Sequence, residues 1–211
     1  MSRRRATIAA ALAASLIAGC VFRPAEAPRF YRPASAALED ESDADAGTAP
    51  TAAAIPIRLH TVESAPFLRE RVVWRVSAVE YGLYEQRRWI ELPSRYLRRA
   101  LTNTLASTPG LALDEDATAA HLDVELQAFD EVLSPKHEAV VSLDATVHDG
   151  ERTLLERTIT STVAIERDDG AAMAEAMGHA LDDAVTRTAQ AVAAALARDK
   201  TRHGARPCCR H

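Results

Sequence analysis

The chain has 211 residues and a formal charge of −5, which becomes −8 once the three arginines of residues 1–19 are set aside. An acidic chain without a concentrated basic face excludes nucleic acid as a partner, and broad adhesion to anionic lipid headgroups with it. Apolar residues make up 47%, enough for one core, provided that the alanine dominating them packs helices closely.

The first segment reads as an export signal. Arg3, Arg4 and Arg5 precede an apolar run over 6–17, and small residues follow before Cys20. The run is about a dozen residues, short of a bilayer-spanning helix. Leu16-Ile17-Ala18-Gly19-Cys20 resembles the lipobox of bacterial lipoproteins. That resemblance implies removal of residues 1–19 and acylation of Cys20, a membrane anchor that several buried acyl chains make effectively permanent. A cleaved signal with a chance cysteine is the other reading.

Residues 20–54 read as a flexible tether. They hold Pro24, Pro28, Pro33 and Pro50 and the acidic run Glu39-Asp40-Glu41-Ser42-Asp43-Ala44-Asp45, a composition that buries too little apolar surface to fold. The ends of such a tether lie on the order of 30 Å apart. Phe30-Tyr31 interrupts it and is a candidate for docking on the domain.

A folded domain is expected over 55–198. Ile55, Ile57 and Leu59 alternate as a half-buried strand does. Residues 71–76 are β-branched and aromatic, and a third strand is expected over 79–86, with Gly82 leaving its register open. Pro93 sits where a first-turn proline is tolerated. Tyr96, Leu97, Ala100, Leu101, Thr104 and Leu105 follow at helical spacing until Pro109-Gly110.

Leu122, Val124 and Leu126 then alternate with acids, and Val141, Leu143, Ala145 and Val147 with polar residues. A last strand is expected over 155–165, joined to its predecessor by a tight turn at Asp149-Gly150. The final helix is capped by Asp168 or Asp169, carries an alanine-rich stripe from Met173 to Leu196, and ends near Arg198. The expected fold is α+β, a two-layer sandwich in which an antiparallel or mixed sheet of about six strands is covered by two helices. Residues 199–211 read as a disordered tail.

Catalytic chemistry is not legible. No nucleophile elbow, zinc-protease motif, phosphate loop or dinucleotide fingerprint occurs. His60, His121, His137, His148 and His179 are scattered singly, and Asp123 and Asp144 read as solvent-facing strand residues. Between Val21 and Pro207 there is no cysteine, so neither thiol catalysis nor a disulfide is expected in the domain. Cys208 and Cys209 stand near His203 and His211 in no recognisable zinc spacing. No enzyme, metal or cofactor is expected.

Aromatic residues crowd one stretch, from Trp74 through Tyr81, Tyr84 and Trp89 to Tyr96. Trp74 and Trp89 read first as core. Tyr81, Tyr84 and Trp89 are the candidate contacts for a protein partner, since exposed aromatics dominate such contacts.

Three segments carry a resemblance. Ala65-Pro66-Phe67-Leu68-Arg69-Glu70-Arg71-Val72-Val73-Trp74-Arg75, Arg88-Trp89-Ile90-Glu91-Leu92-Pro93 and Leu122-Asp123-Val124-Glu125-Leu126-Gln127-Ala128-Phe129-Asp130 resemble, in order and spacing, the motifs of the ABC-type transport auxiliary lipoproteins, PqiC-like partners of MCE lipid transporters. Phe30-Tyr31-Arg32-Pro33 stands where members carry a Tyr-Tyr strand, and its proline argues against a paired strand.

The resemblance implies a non-enzymatic accessory of an ABC/MCE lipid-transport system. Its partners would be an MCE-family substrate-binding subunit and an ABC permease complex. Its place would be the periplasmic face of the outer membrane, to which Val21 rather than an aspartate after Cys20 also leans. Homo-oligomerisation would cover exposed sheet edges. An envelope-assembly lipoprotein, serving lipopolysaccharide or outer-membrane proteins, is the alternative, and an envelope hydrolase the third reading.

Overall fold

The structure is a computed structural model that describes residues 26–39, 54–116 and 119–204. The signal segment, Cys20, most of the acidic run, and Cys208 and Cys209 lie outside the described residues.

The longest strands organise the sheet. β7 (Glu138–Asp149) and β8 (Arg152–Ala164) form the hairpin expected from Asp149-Gly150. Asp149 pairs with Arg152, and Gly150 takes a φ of 60°, which glycine enters at no steric cost. β6 (Ala120–Val132) pairs antiparallel with the other side of β7. Two strands share the far edge of β6. β2 (Ile55–Ser64) runs parallel to its first half, and β3 (Arg71–Arg75) runs parallel to residues 130–132. Outside these, β4 (Tyr81–Trp89) pairs antiparallel with β3. β1 (Arg29–Tyr31) pairs parallel with β4, and β5 (Leu111–Leu113) parallel with β2.

The sheet is therefore mixed and eight-stranded, where the sequence suggests about six. The two additional strands, β1 and β5, have three residues each, too few to display a period of two. β2 continues five residues beyond the expected alternation because a bulge between Leu59 and Thr61 breaks its phase.

Helices α1 (Pro93–Ser107) and α2 (Gly170–Gly204) cover one face. Pro93 opens α1, where its missing N–H is no loss. Asp169, rather than Asp168, caps α2 by accepting the Ala172 amide at 2.8 Å. Leu97, Leu101 and Leu105 of α1 share one buried core with Leu122, Leu126, Val141 and Leu143 of the sheet. On α2 the buried stripe includes Ala176, Ala180 and Ala184, whose small side chains let the helix lie close to the strands. α2 runs past Arg198 to Gly204. No helix among the described residues is long and apolar enough to cross a membrane.

The amino-terminal segment is not free up to residue 54. Beyond β1, Ala36–Leu38 form a 3-10 turn, and Leu38 is buried in the core. Pro33 lies just outside the paired residues, so it removes no ladder bond.

Candidate partner-binding site

A turn after β2 places Phe67 over the outer face of the sheet. The Leu68 amide closes it on the Ala65 carbonyl at 2.9 Å, and buried Leu68 roots it in the core. Phe67 meets Tyr81 edge to face, with ring centroids 6.2 Å apart. Val73, paired with Leu83 across β3 and β4, forms the floor with Gly82 and Gln127. The concavity measures about 510 Å³. Its rim residues Phe67, Tyr81 and Leu83 are 46%, 48% and 44% exposed, and Val79 at the hairpin tip is 92% exposed. Gly82 is required here because the Trp74 indole fills the space that any side chain at 82 would occupy.

The three candidate contact residues separate. Tyr81 is exposed on this rim. Tyr84 packs partly against the core, where the Glu131 charge acts on its hydroxyl. Trp89 is 1% exposed and stacks edge to face on Phe129 and Tyr96, so it is a core residue and not a contact surface. Phe67 and Leu83 carry the surface instead, and nothing in their local sequence marks them.

Two buried carboxylates underlie the site. A bulge at Gln127 shifts the phase of β6, so that Phe129 rather than Ala128 enters the core. Asp130 and Glu131 then point to opposite faces, both almost wholly buried. Glu131 accepts Arg87 Nη1 at 2.9 Å and lies 2.7 Å from His137 Nε2. Arg87 also covers the Tyr84 ring at 4.3 Å from its centroid. Burial, and next the Glu131 charge, push the Tyr84 phenol well above its ordinary range. Asp130 is opposite Val73 in the register and 3.4 Å from Arg75 Nε. Burial raises its carboxyl to about 6, against the opposing pull of the Phe129 amide and Arg75.

A second arrangement fixes the amino-terminal segment. Asp182 of α2 accepts the Ser35 hydroxyl at 2.5 Å and the amides of Ala36 and Ala37 at 2.9 and 3.2 Å. The Ala34 amide donates to the Ala174 carbonyl at 3.1 Å, and Asn103 of α1 donates to the Ala37 carbonyl at 2.9 Å. Gly178 and Gly170 leave room on α2 for the Ala34 backbone and the Tyr31 ring. A segment read as tether is thus clamped between both helices.

The structure also gathers histidines that the sequence scatters. His60, His121 and Asp123 lie together on the outer face, with His148 beside His121.

The fold recurs in solved structures. A Xanthomonas campestris protein assigned to the DUF330 family superposes with a TM-score of 0.67 at 16% identity, over 82% of this chain and 99% of its own. A hypothetical protein of Chlamydia trachomatis superposes with a TM-score of 0.52 at 8% identity, over 69% of this chain and 99% of its own. No curated protein matches the sequence significantly. The family model described as "ABC-type transport auxiliary lipoprotein component" matches residues 37–193. That span contains β2 through β8, all of α1, the groove and Asp182, so the chain belongs to the ABC-type transport auxiliary lipoprotein family.

Proposed function

We propose that this accessory transport lipoprotein is anchored through acylated Cys20 at the periplasmic face of the outer membrane. There it serves an ABC system of the MCE type that moves phospholipid or other hydrophobic molecules across the envelope. The observation carrying the reading is the exposed groove of Phe67, Tyr81 and Leu83, an apolar surface rimmed by aromatic residues on the face the helices leave open. Its occupant in this reading is the MCE-family substrate-binding subunit.

The clamp on residues 34–37 shortens the leash. Cys20 stands nine residues before Arg29, a reach of about 30 Å at full extension. The acidic run falls after the clamp, between the 3-10 turn and β2, and does not lengthen that leash. The groove is therefore held near the leaflet that takes the anchor. Among the described residues β8 pairs with β7 alone, and its other edge is the surface through which a second copy would pair.

A photo-crosslinking amino acid at position 81 or 83 tests the reading in intact cells. Capture of an MCE subunit, abolished by Cys20→Ser, is the expected result. Capture of an outer-membrane assembly barrel, or of no envelope protein from either position, would overturn it.

A further inference from the structure

We propose that His60, His121 and Asp123 form a binding site for a divalent transition metal of the zinc class, with His148 as the fourth donor. His60 belongs to β2, His121 and Asp123 to β6, and His148 to β7. One donor atom from each of His60, His121 and Asp123 lies within 4.8 Å of the others. His60 Nδ1 is 2.9 Å from Asp123 Oδ1, and His121 Nε2 is 3.9 Å from Asp123 Oδ2. Donors on one tetrahedral zinc ion stand about 3.3 Å apart, given bonds of about 2.0–2.2 Å. The spacings to the two Asp123 oxygens bracket that value, so small rotations of these three side chains suffice, while His148, outside that group, turns in from beside His121.

The local backbone explains how three strands deliver this set. On β6 the alternation sends His121 and Asp123 outward while Leu122 and Val124 enter the core. Next after the core-facing Leu59, His60 points to the same outer face by alternation, and the β2 bulge makes it the extra residue between Leu59 and Thr61, which brings Thr61 opposite Asp123. His148 is directly opposite His121 across the β6–β7 ladder. Their rings are 5.2 Å apart, and the His60 and His121 rings are 5.4 Å apart. A Thr153 hydroxyl 3.3 Å from His148 Nδ1 orients that ring, as outer-shell partners orient ligating imidazoles.

Electrostatics favour a cation. Next along the same face, Glu63, Glu125 and Asp144 stand directly opposite one another on β2, β6 and β7. Like charges placed so oppose folding unless a positive charge or donor offsets them. Thr158 offsets Asp144 by donating to it at 2.6 Å. Arg58, opposite His121, and Arg98, which donates to the His60 carbonyl at 3.3 Å, are neighbouring cations, and the three carboxylates exceed them. Three imidazoles and one carboxylate suit zinc, and also copper or nickel, better than magnesium or calcium. The other comparable group, Glu131, His137 and Asp168, differs in kind. Its buried Glu131 already has Arg87 as a counter-charge, so it has no call for a metal.

Cobalt(II) binding tests the site in the full chain in detergent. Cys208→Ser, Cys209→Ser and His211→Ala are carried in every sample, so that the tail donors do not compete. The expected result is one equivalent of Co2+ with visible d–d bands of a nitrogen- and oxygen-ligated tetrahedral ion, displaced by Zn2+. His60→Gln, His121→Gln and Asp123→Asn should each weaken it at least about tenfold, and His148→Gln less. Unchanged circular dichroism and melting in EDTA show that each variant is folded. In the chain without these four changes, trace Cu2+ should broaden the imidazole NMR signals of His60 and His121 before that of His179. Equal Co2+ affinity across the variants, absence of the bands, or broadening that spares His60 and His121 would each overturn the proposal.

Discussion

Asp182 on α2 holds Ser35 across 147 residues of sequence, accepting its hydroxyl at 2.5 Å together with two amides of the following turn. One carboxylate thereby satisfies the donors of a short 3-10 turn that has no side-chain cap of its own. Charge-assisted bonds of this kind contribute about 1.5–3 kcal/mol. Asp182→Ala should lower stability by roughly 2 kcal/mol, part of it recovered by Asp182→Asn. Hydrogen exchange at Ala36 and Ala37 should accelerate far more than exchange in β7. Retention of their protection in the alanine variant would mean that the clamp lies elsewhere.

Gly178 gives a prediction of opposite sign to the ordinary rule. In an exposed helix interior, alanine for glycine stabilises by about 1 kcal/mol. At position 178 a Cβ would overlap the Ala34 backbone, which cannot swing aside as a side-chain end does. Gly178→Ala should therefore destabilise the full chain and release residues 29–38, despite its better helix propensity. Denaturant unfolding measures the sign directly. A more stable variant with unchanged protection of Ala34 would show that the segment does not sit on α2.

How much of this was legible in the residues follows from sequence distance and period. The paired core strands β6, β7 and β8 announce themselves because each alternates for many residues, and Asp149-Gly150 supplies the turn. The expected α+β sandwich with two covering helices stands, with a mixed sheet. β1 and β5 are invisible because three residues in a parallel edge pairing carry no pattern. Bulges at His60 and Gln127 each reverse a strand's phase, so Thr61, Asp130 and Glu131 reach positions that simple alternation does not give them. Among the aromatics, Tyr81 is exposed, and Trp89 is core, the first of its two readings, through packing on Phe129 from a strand forty residues away. Phe67, for which no role is expected from sequence, is exposed beside Tyr81. The histidine group is a matter of register between β2, β6 and β7, which single-residue reading does not reach.

Asp130 provides a pH test whose sign is fixed by burial. Its carboxyl is raised from 3.8 in the unfolded chain to about 6 in the folded one. Between those values the folded state holds the proton more tightly, so this group's contribution is fully present below about 4 and is lost as pH rises through about 6. The loss is on the order of 3 kcal/mol by linkage. Other carboxylates act on stability in the same range, so the informative quantity is the difference between Asp130→Asn and the unaltered chain. Asparagine keeps the shape and never ionises. The variant should gain stability relative to the unaltered chain as pH goes from 4.5 to 7.5, by roughly 2 kcal/mol, measured by urea unfolding at each pH. The gain is smaller to the extent that ionised Asp130 is compensated by Arg75 at 3.4 Å. Arg75→Met should then enlarge the difference between the two chains at the higher pH. A difference that is flat across the range, with or without Arg75, would mean that Asp130 is ionised throughout and that water reaches it beneath the groove.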